Sequence, residues 1–389
     1  MKKIAVVTTT RAEYGLLYPV ISEMRQYENL DLRVELLVTG THLSKTYGMT
    51  IQEIEESGIR IDHRILIPVE SDSELNIAVN QADTLVKFTE LFLINKYDAV
   101  MLLGDRYETL AIAIAAGNTR TPVFHLCGGD TTEGAMDEWI RHSITKMSFL
   151  HFTTNEESRR RVIQLGEDPS RVFNYGSTSV DNIISVANLS KEEALNSIGL
   201  NDCQYALCTY HPVTMEEESV EKLIFDFLKA LSKYPDIQFI ITKSNADKGG
   251  ARINQILEEA DEKTKNLHVF SSLGTRRYLS LMKHAEFVIG NSSSGIIETP
   301  VFHIPTINIG DRQRGRLRAK SIIDCNDNTD SIVAAIGKAI STEFKAKCEI
   351  VRNMYGDGHA GIKIAKKSIE VVQGGNIDLR KKFYDLGMQ

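Results

Sequence analysis

The sequence has few of the residues that build disulfide frameworks, metal centres or membrane spans. Five cysteines occur in 389 residues, an odd number without CxxC spacing, which disfavours disulfides and zinc sites and indicates reduced, cytoplasmic thiols. The ten histidines form no HExxH pattern, so we expect no resident metal. All apolar runs are shorter than the roughly 18 residues of a membrane helix, and the run after Lys3 is too short for a signal peptide. These features predict a cytoplasmic protein with no membrane partner.

The sequence also lacks an excess of positive charge. Its formal net charge is −7 and its pI is about 5.9, which excludes a general nucleic-acid-binding surface. An anionic ligand would therefore need a local cluster of cations. Hydrophobic residues make up 42% and charged residues 25%, which excludes a largely disordered chain. At roughly 100–200 residues per domain, the length favours two domains.

Short apolar runs alternate with amphipathic helical patterns along the chain. Near-continuous apolar runs are typical of parallel strands covered on both faces, so the alternation predicts a doubly wound α/β architecture. It restarts after a polar segment at 178–201, which places the boundary between two Rossmann-like domains near residue 180. A cleft between two such domains suits a ligand that bridges them. The predicted strands are Lys3–Thr8, Arg33–Val38, Asp98–Leu103, Pro122–Leu126, Leu150–Thr153, Arg171–Tyr175, Gln204–Thr209, Ile237–Thr242, Leu267–Phe270, Glu286–Ile289 and Pro305–Ile309.

Three glycines near the C-terminus, Gly356, Gly358 and Gly361, match the GxGxxG dinucleotide motif. That motif requires a preceding strand. Here it follows a helical pattern at Ile350–Tyr355 and leads into another at Gly361–Gly374. We therefore interpret the glycines as part of a loop between two helices, and they imply no dinucleotide cofactor.

Charged residues follow predicted strands of the first domain, at carboxyl ends that border the ligand crevice of an open α/β sheet. Arg11 can bind a phosphate there, or it can pair with Glu13 at the start of a helix. Asp105 and Arg106 follow the third predicted strand, where Asp105 can belong to a site or cap the next helix. His42 follows the second strand and is a weak signal by itself.

The densest group of acids follows the fourth predicted strand, where Asp130, Glu133, Asp137 and Glu138 lie within nine residues. So many acids near one strand end fit general acid/base catalysis, because mutual repulsion and burial raise the pKa of some carboxyl groups. A polar helix start, which favours acids through the helix dipole, accounts for one or two of them. The group is therefore a candidate catalytic cluster.

The second domain offers candidate anion-binding groups. His211 follows a strand and points towards the predicted cleft. Ser292 and Ser293 lie in a Gly- and Ser-rich turn at a helix start, where backbone N–H groups can bind a phosphate. Glu298, one turn later, can accept both hydroxyls of a ribose. A loop further on contains the local cations that an anionic ligand needs, namely Arg312, Arg314, Arg316, Arg318 and Lys320.

Taken together, these segments resemble the hydrolysing UDP-N-acetylglucosamine 2-epimerases, which open sialic-acid and related nonulosonic-acid pathways. Singly the segments are weak signals, but as a set they are specific, and the resemblance runs from residue 4 to about residue 320. The run Ile140-Arg141-His142-Ser143 resembles the hydrolysing branch, not the branch that keeps UDP attached. The matching segments are Arg11–Gly15, Val38–Leu43, Gly104–Arg106, Asp137–Ser143, His211–Thr214, Gly290–Gly295 and Gly310–Gln313.

The resemblance implies a GT-B-like arrangement with the active site in the interdomain cleft. The first domain would span 1–180, with a C-terminal helix in 360–389 packing back on it, and a UDP-binding domain would span 181–359. Homodimers or homotetramers without a cofactor are also implied. The residues implied to bind UDP are Arg11, His211, Ser292, Ser293, Glu298 and Arg312. Those proposed to contact the sugar are His42, Arg106, Cys127 and Arg141.

By the same resemblance, Asp105 and Asp137 match the catalytic acids of the family. The usual third acid is a Glu directly before two glycines, and Cys127 occupies that position here. The identity of the base is therefore open, and Asp130 or Glu133 can take the role. His211 joins the catalytic set because it would stabilise the departing diphosphate.

The implied reaction converts UDP-N-acetylglucosamine and water into N-acetylmannosamine and UDP, through elimination to a 2-acetamidoglucal and then hydration. The closest alternative is the same reaction on UDP-N,N′-diacetylbacillosamine, which leads to legionaminic acid. A non-hydrolysing 2-epimerase and a GT-B glycosyltransferase are further alternatives, although the acid cluster fits a glycosyltransferase poorly. A nucleotide-sugar-binding protein without turnover also stays open, because Cys127 replaces an acid.

Overall fold

The computed structural model describes residues 1–45, 49–69, 73–131, 136–211, 220–244, 250–314 and 317–387, with the backbone alone at 220, 250 and 251. It contains two compact α/β units. The first comprises residues 1–182 together with 355–389, and the second comprises residues 183–354. No helix within the described ranges is both long and apolar enough to cross a membrane.

The first unit is built on a parallel sheet with strand order β3-β2-β1-β4-β5-β6-β7. The strand order reverses between β1 and β4, which makes their carboxyl ends the topological switch point where α/β folds bind ligands. The strands are β1 Lys2–Thr8, β2 Leu32–Val38, β3 His63–Arg64, β4 Ala99–Leu103, β5 Val123–Leu126, β6 Leu150–Thr153 and β7 Val172–Asn174. The helices are α1 Arg11–Gln26, α2 Ile51–Glu56, α3 Glu74–Asn95, α4 Tyr107–Asn118, α5 Met136–Met147, α6 Glu156–Gln164 and α7 Thr178–Val186, the last of which crosses into the second unit.

Strand β1 shows why the apolar runs are continuous. Ile4 and Val6 are fully buried in one core, together with residues of α1. Ala5 and Val7 are buried in a separate core on the opposite face, together with residues of α3 and α4. Because helices cover both faces of the strand, neither set of alternating side chains needs to be polar.

The second unit is built on a parallel sheet with strand order β10-β9-β8-β11-β12-β13, which reverses between β8 and β11. Its strands are β8 Tyr205–Thr209, β9 Gln238–Thr242, β10 Leu267–Phe270, β11 Phe287–Gly290, β12 Thr306–Ile309 and β13 Ile322–Cys325. Its helices are α8 Lys191–Asn196, α9 Val220–Leu231, α10 Gly250–Asp261, α11 Gly274–His284, α12 Ser293–Ile297, α13 Thr329–Ala339 and α14 Thr342–Glu349.

The chain then returns to the first unit through helix α15, Ala360–Gly374. Asp181 accepts hydrogen bonds from the backbone N–H groups of Ala360 and Gly361 at 3.2 and 2.8 Å, at the start of the helix. A Cβ atom on Gly361 would lie 2.8 Å from Cβ of Pro19 in α1, so glycine permits the close approach of the two helices. The helix ends at Gly374, and residues 376–385 continue without regular secondary structure.

The predicted doubly wound α/β architecture is confirmed, and each of the eleven predicted strands lies within one residue of an observed strand at both ends. Two edge strands, β3 and β13, were not predicted, because β3 has two residues and β13 contains the exposed Asp324. The helical prediction at Ile350–Tyr355 is wrong, since α14 ends at Glu349. The segment with the GxGxxG spacing leads directly into α15, and no strand precedes it.

Candidate active site

The acids of the first unit lie at the carboxyl end of its sheet. Asp105 follows β4 at the switch point, and Asp130 follows the neighbouring strand β5. Helix α5 begins shortly afterwards and contributes Asp137, which is exposed, and Glu138, which is half-buried. Glu133, predicted as an alternative base, lies outside the described residues.

Arg141 of α5 contacts three of these residues, Asp105, Asp130 and Glu138. Its side chain is 4% exposed, and its Nε donates to Oδ2 of Asp105 at 2.8 Å. Its Nη1 donates to the carbonyl oxygen of Asp130 at 2.6 Å and to Oε2 of Glu138 at 3.2 Å. The guanidinium is therefore buried among protein acceptors and holds Asp105 and Glu138, and the contact of Arg141 with the sugar stays a prediction.

Asp130 is held from the opposite side by the segment that follows β6. Its Oδ1 accepts hydrogen bonds from the hydroxyls of Thr154 and Ser158, both at 2.6 Å. Asp105 is less enclosed, with 27% of its side chain exposed and Arg141 as its ion-pair partner. Asp105 therefore combines a fixed orientation with access to a ligand, which a general acid or base requires.

Cys127 lies among the same groups and has a left-handed backbone, with φ of +63°. Burial raises the pKa of the Cys127 thiol, and the nearby carboxylates of Asp130 and Asp105 raise it further. The thiol is therefore neutral at physiological pH and cannot replace the carboxylate base that its position implies.

Two other residues predicted to contact the sugar have partners inside the protein. His42 is fully buried, its Nε2 lies 2.9 Å from the Thr8 hydroxyl, and its Nδ1 lies 2.8 Å from the Thr50 hydroxyl. Burial lowers the pKa of His42 to about 4, so the ring is neutral and links the end of β1 to the segment after β2. The contact of His42 with the sugar stays a prediction. Arg106 is 37% exposed and pairs with the fully buried carboxylate of Glu108.

Glu13 is a buried acid whose importance the sequence did not reveal. Its Oε2 accepts hydrogen bonds from the backbone N–H and hydroxyl of Thr9, both at 2.7 Å, and from the N–H of Thr10 at 3.2 Å. Burial raises the pKa of Glu13 to about 7 against the lowering effect of those bonds. The capping-box pattern at Thr10 and Glu13 was the available signal. Arg11, read as a possible partner of Glu13, pairs instead with Glu53.

Glu13 makes stability depend on pH. Its folded-state pKa lies above the usual value of 4.5, so folding takes up a proton and stability falls as pH rises from about 4.5 to 7. Glutamine does not titrate, so the unfolding free energy of Glu13→Gln relative to wild type should rise by about 1.4 kcal/mol per pH unit over this range. Urea unfolding at pH 5, 6, 7 and 8 measures the trend, with the exposed Glu53→Gln as baseline. A difference in unfolding free energy between Glu13→Gln and wild type that does not change with pH would contradict the prediction.

In the second unit, Asn291 gathers the predicted diphosphate-binding groups. Its Oδ1 accepts from the backbone N–H of His211 at 2.7 Å, and its Nδ2 donates to the carbonyl oxygen of His211 at 2.8 Å. Its own carbonyl oxygen accepts from Arg312 at 3.1 Å and from Gln313 at 2.9 Å. His211 and Arg312 are thereby brought to one residue, His211 through the Asn291 side chain and Arg312 through the Asn291 backbone. Asn291 and Gln313 were not singled out in the sequence because their role lies in these long-range hydrogen bonds.

The turn after β11 depends on a close approach of the backbone. A Cβ atom at Gly290 would lie 1.9 Å from the carbonyl oxygen of Thr209, so only glycine fits there. Helix α12 has only five residues, so its dipole contributes little to the anion site expected at its N-terminus. The half-buried hydroxyls of Ser292 and Ser293 are the groups that this turn offers to a ligand.

A pocket of about 450 Å³ opens beside this turn, within the second unit. Glu298 lines it, accepts a hydrogen bond from the Ser294 hydroxyl, and has its pKa raised by burial. Other residues lining the pocket include Thr209, His211, Thr242, Lys243, Tyr278 and Ser292. The volume and the polar lining suit a nucleoside, with Glu298 as an acceptor for its hydroxyl groups.

The predicted cluster of cations is only partly gathered. Arg312 lies against Asn291, but Arg318 pairs with Asp324 and Arg314 with Asp311. Arg316 lies outside the described residues, and Lys320 is exposed. Within the described ranges, no group of three or more His, Cys, Asp or Glu side chains is arranged to hold a metal ion.

The chain is similar in sequence and in fold to known proteins, in agreement with the geometry of both units. The profile of a family described as UDP-N-acetylglucosamine 2-epimerase matches residues 23–368. The chain is 40% identical to the GDP/UDP-N,N′-diacetylbacillosamine 2-epimerase (hydrolyzing) of Campylobacter jejuni over 389 residues, 99% of each chain. It is 38% identical to the polysialic acid biosynthesis protein P7 of Escherichia coli, over 99% of this chain and 98% of that one.

A third relative and a crystal structure are also similar to the chain. The chain is 34% identical to the UDP-N,N′-diacetylbacillosamine 2-epimerase (hydrolyzing) of Legionella pneumophila, over 92% of this chain and 93% of that one. A crystal structure of UDP-GlcNAc 2-epimerase from Neisseria meningitidis bound to UDP-GlcNAc aligns with a TM-score of 0.77 at 19% identity, over 95% of this chain and 100% of that one. At that identity the alignment shows a shared fold.

Proposed function

Since the chain belongs to the UDP-N-acetylglucosamine 2-epimerase family and is a hydrolysing UDP-sugar 2-epimerase, we propose that its substrate is UDP-N,N′-diacetylbacillosamine. The observation that carries the choice of substrate is the 40% identity to the Campylobacter enzyme over 99% of both chains. The Legionella relative has the same sugar in its name. The products are UDP and the free sugar with inverted C2, a precursor of legionaminic acid.

UDP-N-acetylglucosamine, favoured by the sequence resemblance alone, is the second candidate substrate. The specific support for it is a relative named UDP-N-acetylglucosamine 2-epimerase from Neisseria meningitidis, which is 32% identical over 388 residues and 100% of both chains. The two sugars share the 2-acetamido group that the reaction inverts and differ at C4 and C6. The chemistry proposed below is the same for both, and the product in the second case is N-acetylmannosamine.

The first chemical step is loss of UDP. Because the C2 proton of the sugar is not acidic, breaking of the C1–O bond leads or accompanies proton removal, and the electron pair leaves with UDP. His211, Arg312 and the hydroxyls of Ser292 and Ser293 stabilise the negative charge of the departing diphosphate. Glu298 accepts hydrogen bonds from the ribose hydroxyls. Arg11, exposed and paired with Glu53, provides a further cation for the diphosphate.

Acids of the first unit complete the reaction. One carboxylate takes the C2 proton, and a C1=C2 double bond forms to give a 2-acetamidoglycal. Water then adds oxygen to C1, and a proton returns to C2 from the opposite face. We assign these steps to Asp105 and Asp137, with Asp130 as the third acid that the neutral Cys127 thiol cannot replace. The proposal requires groups of both units to act on one substrate molecule.

A panel of nucleotide sugars tests the choice of substrate. Purified enzyme is incubated separately with UDP-N,N′-diacetylbacillosamine and UDP-N-acetylglucosamine, and released UDP is measured as initial rates. We expect kcat/KM to favour the bacillosamine nucleotide by at least about tenfold, a difference of about 1.4 kcal/mol in the activation free energy. A preference of the same size for UDP-N-acetylglucosamine would select the second candidate.

We also propose that the chain forms a homodimer or homotetramer through α3. Leu75, Val79, Val86 and Leu93 are each at least half exposed, and the last three repeat every seven residues along one face of the helix. A second copy can cover such a stripe, because a two-fold axis places the same face on both partners. Val86→Glu should shift the mass measured by light scattering towards the monomer. Ile350→Glu, an exposed site in the second unit, is the control, and an unchanged mass for Val86→Glu would contradict the interface.

A further inference from the structure

A chain of hydroxyl groups lines the pocket of the second unit and ends at Glu298. The hydroxyls of Thr242 and Thr209, at the ends of β9 and β8, lie 2.6 Å apart. The side chain of Tyr278, in α11, lines the pocket beside Thr209 and Ser294, and its hydroxyl interacts with both. Ser294 in turn donates to Oε2 of Glu298. Side chains from four separate elements are therefore linked to one carboxylate.

The carboxylate sets the direction of the chain. An ionised Glu298 only accepts, so Ser294 donates to it and accepts the hydroxyl proton of Tyr278. Tyr278 then accepts from Thr209, and Thr209 accepts from Thr242. After Thr242, which begins the chain as a donor, each hydroxyl donates one bond and accepts one, an arrangement in which neighbouring bonds polarise and strengthen one another.

The same groups line the pocket. Thr209, Thr242, Tyr278, Ser294 and Glu298 all contribute to its wall, so the chain is part of the surface that a ligand meets. Since Oε2 of Glu298 is tied to Ser294, rotation of the carboxyl group is restricted and its other oxygen has a defined direction. The Tyr278 hydroxyl is the central link, because it joins the strand ends to Ser294.

We propose that Tyr278 is a positioning residue for nucleotide recognition: through Ser294 it holds the Glu298 carboxylate in the orientation that accepts the ribose hydroxyls of UDP. The inference rests on the proposed function, in which Glu298 receives the ribose. It adds a residue that acts through another side chain and takes no part in the chemical steps.

Tyr278→Phe removes the hydroxyl and keeps the ring. Isothermal titration calorimetry compares UDP with 2′,3′-dideoxy-UDP, which lacks both ribose hydroxyls. Wild type should prefer UDP by at least about tenfold, as expected for hydrogen bonds to a charged group. In Tyr278→Phe, affinity for UDP should fall about five- to twentyfold while affinity for the dideoxy nucleotide stays nearly constant, so the preference shrinks. KM should rise with little change in kcat.

Two further variants test whether the effect of Tyr278→Phe comes from the hydroxyl chain. Ser294→Ala breaks the same chain at the next link and should reduce the preference in the same way. Tyr234→Phe removes a hydroxyl that donates to the carbonyl oxygen of Val333 at 3.0 Å, does not line the pocket, and should leave both affinities unchanged. Circular dichroism confirms that each variant is folded.

The outcomes separate this inference from the function on which it rests. Equal loss of affinity for both nucleotides in Tyr278→Phe, or no loss for either, would overturn the positioning role. Wild type that binds UDP without any preference over the dideoxy nucleotide would also overturn it, while leaving the proposed reaction intact. Wild type that binds no UDP would overturn the proposed function itself.

Discussion

Asp105→Asn should lower kcat by about 10³-fold or more while UDP still binds with wild-type affinity. Asparagine keeps the shape of the side chain but cannot carry a proton to or from the sugar, and positioned acid or base groups commonly contribute 10²–10⁴-fold. Asp105 lies at the switch point of the first sheet, with 27% of its side chain exposed to a ligand. The proposed diphosphate-binding groups other than Arg11 lie in the second unit and are not altered by the change.

The measurement pairs initial rates of UDP release with calorimetric binding of UDP. Asp137→Asn is expected to behave in the same way, since the proposed mechanism divides the proton transfers between the two acids. Asp98→Asn is the control, because Asp98 precedes the same strand β4 at its opposite end and contacts Lys2 and Lys3. Full activity of both Asp105→Asn and Asp137→Asn would eliminate the assignment of catalytic acids.

Arg141→Met should lower both stability and turnover. Removal of the guanidinium leaves Asp105 and Glu138 without their shared cation and the carbonyl oxygen of Asp130 without its donor. Loss of one partner of a buried ion pair costs about 3–5 kcal/mol. Because about a quarter of each acid side chain is exposed, we expect a smaller loss of unfolding free energy, about 2–4 kcal/mol. Turnover should fall about 10²-fold as Asp105 loses its fixed orientation.

A double-mutant cycle identifies the partner. If Arg141 acts on Asp105, Arg141→Met should cost about 1–3 kcal/mol less stability in the Asp105→Asn background than in wild type. Arg141→Lys should recover part of the stability, because lysine restores the charge without the planar fork that binds several acceptors. Urea unfolding measures the loss of unfolding free energy for each change and for the pair. If the two losses add strictly, the Arg141–Asp105 ion pair does not contribute to stability.

The strands were predictable because parallel strands covered on both faces must be apolar throughout. The edge strand β13 was not predicted, for the opposite reason: its exposed Asp324 interrupts the apolar run. Asp105 was predictable for a related reason: a polar residue directly after a buried strand lies at the crevice of the sheet.

Roles that depend on distant partners could not be predicted. Arg141 meets Asp105 across 36 positions of sequence, and the chain through Tyr278 joins four separate elements. The raised pKa of Glu13 comes from complete burial, which the capping-box pattern does not specify. The partners of His42 could not be predicted either, because its position after a strand does not indicate that the hydroxyls of Thr8 and Thr50 flank its ring.

The central claim is that the enzyme removes the C2 proton, releases UDP and returns a proton to C2 from the opposite face. Proton NMR of the reaction in heavy water tests it directly, with UDP-N,N′-diacetylbacillosamine as substrate and UDP-N-acetylglucosamine in parallel. Hydrolysing 2-epimerisation predicts free C2-inverted sugar with one deuterium at C2, together with free UDP. A product that retains its original C2 proton, or an inverted sugar still attached to UDP, would contradict the claim.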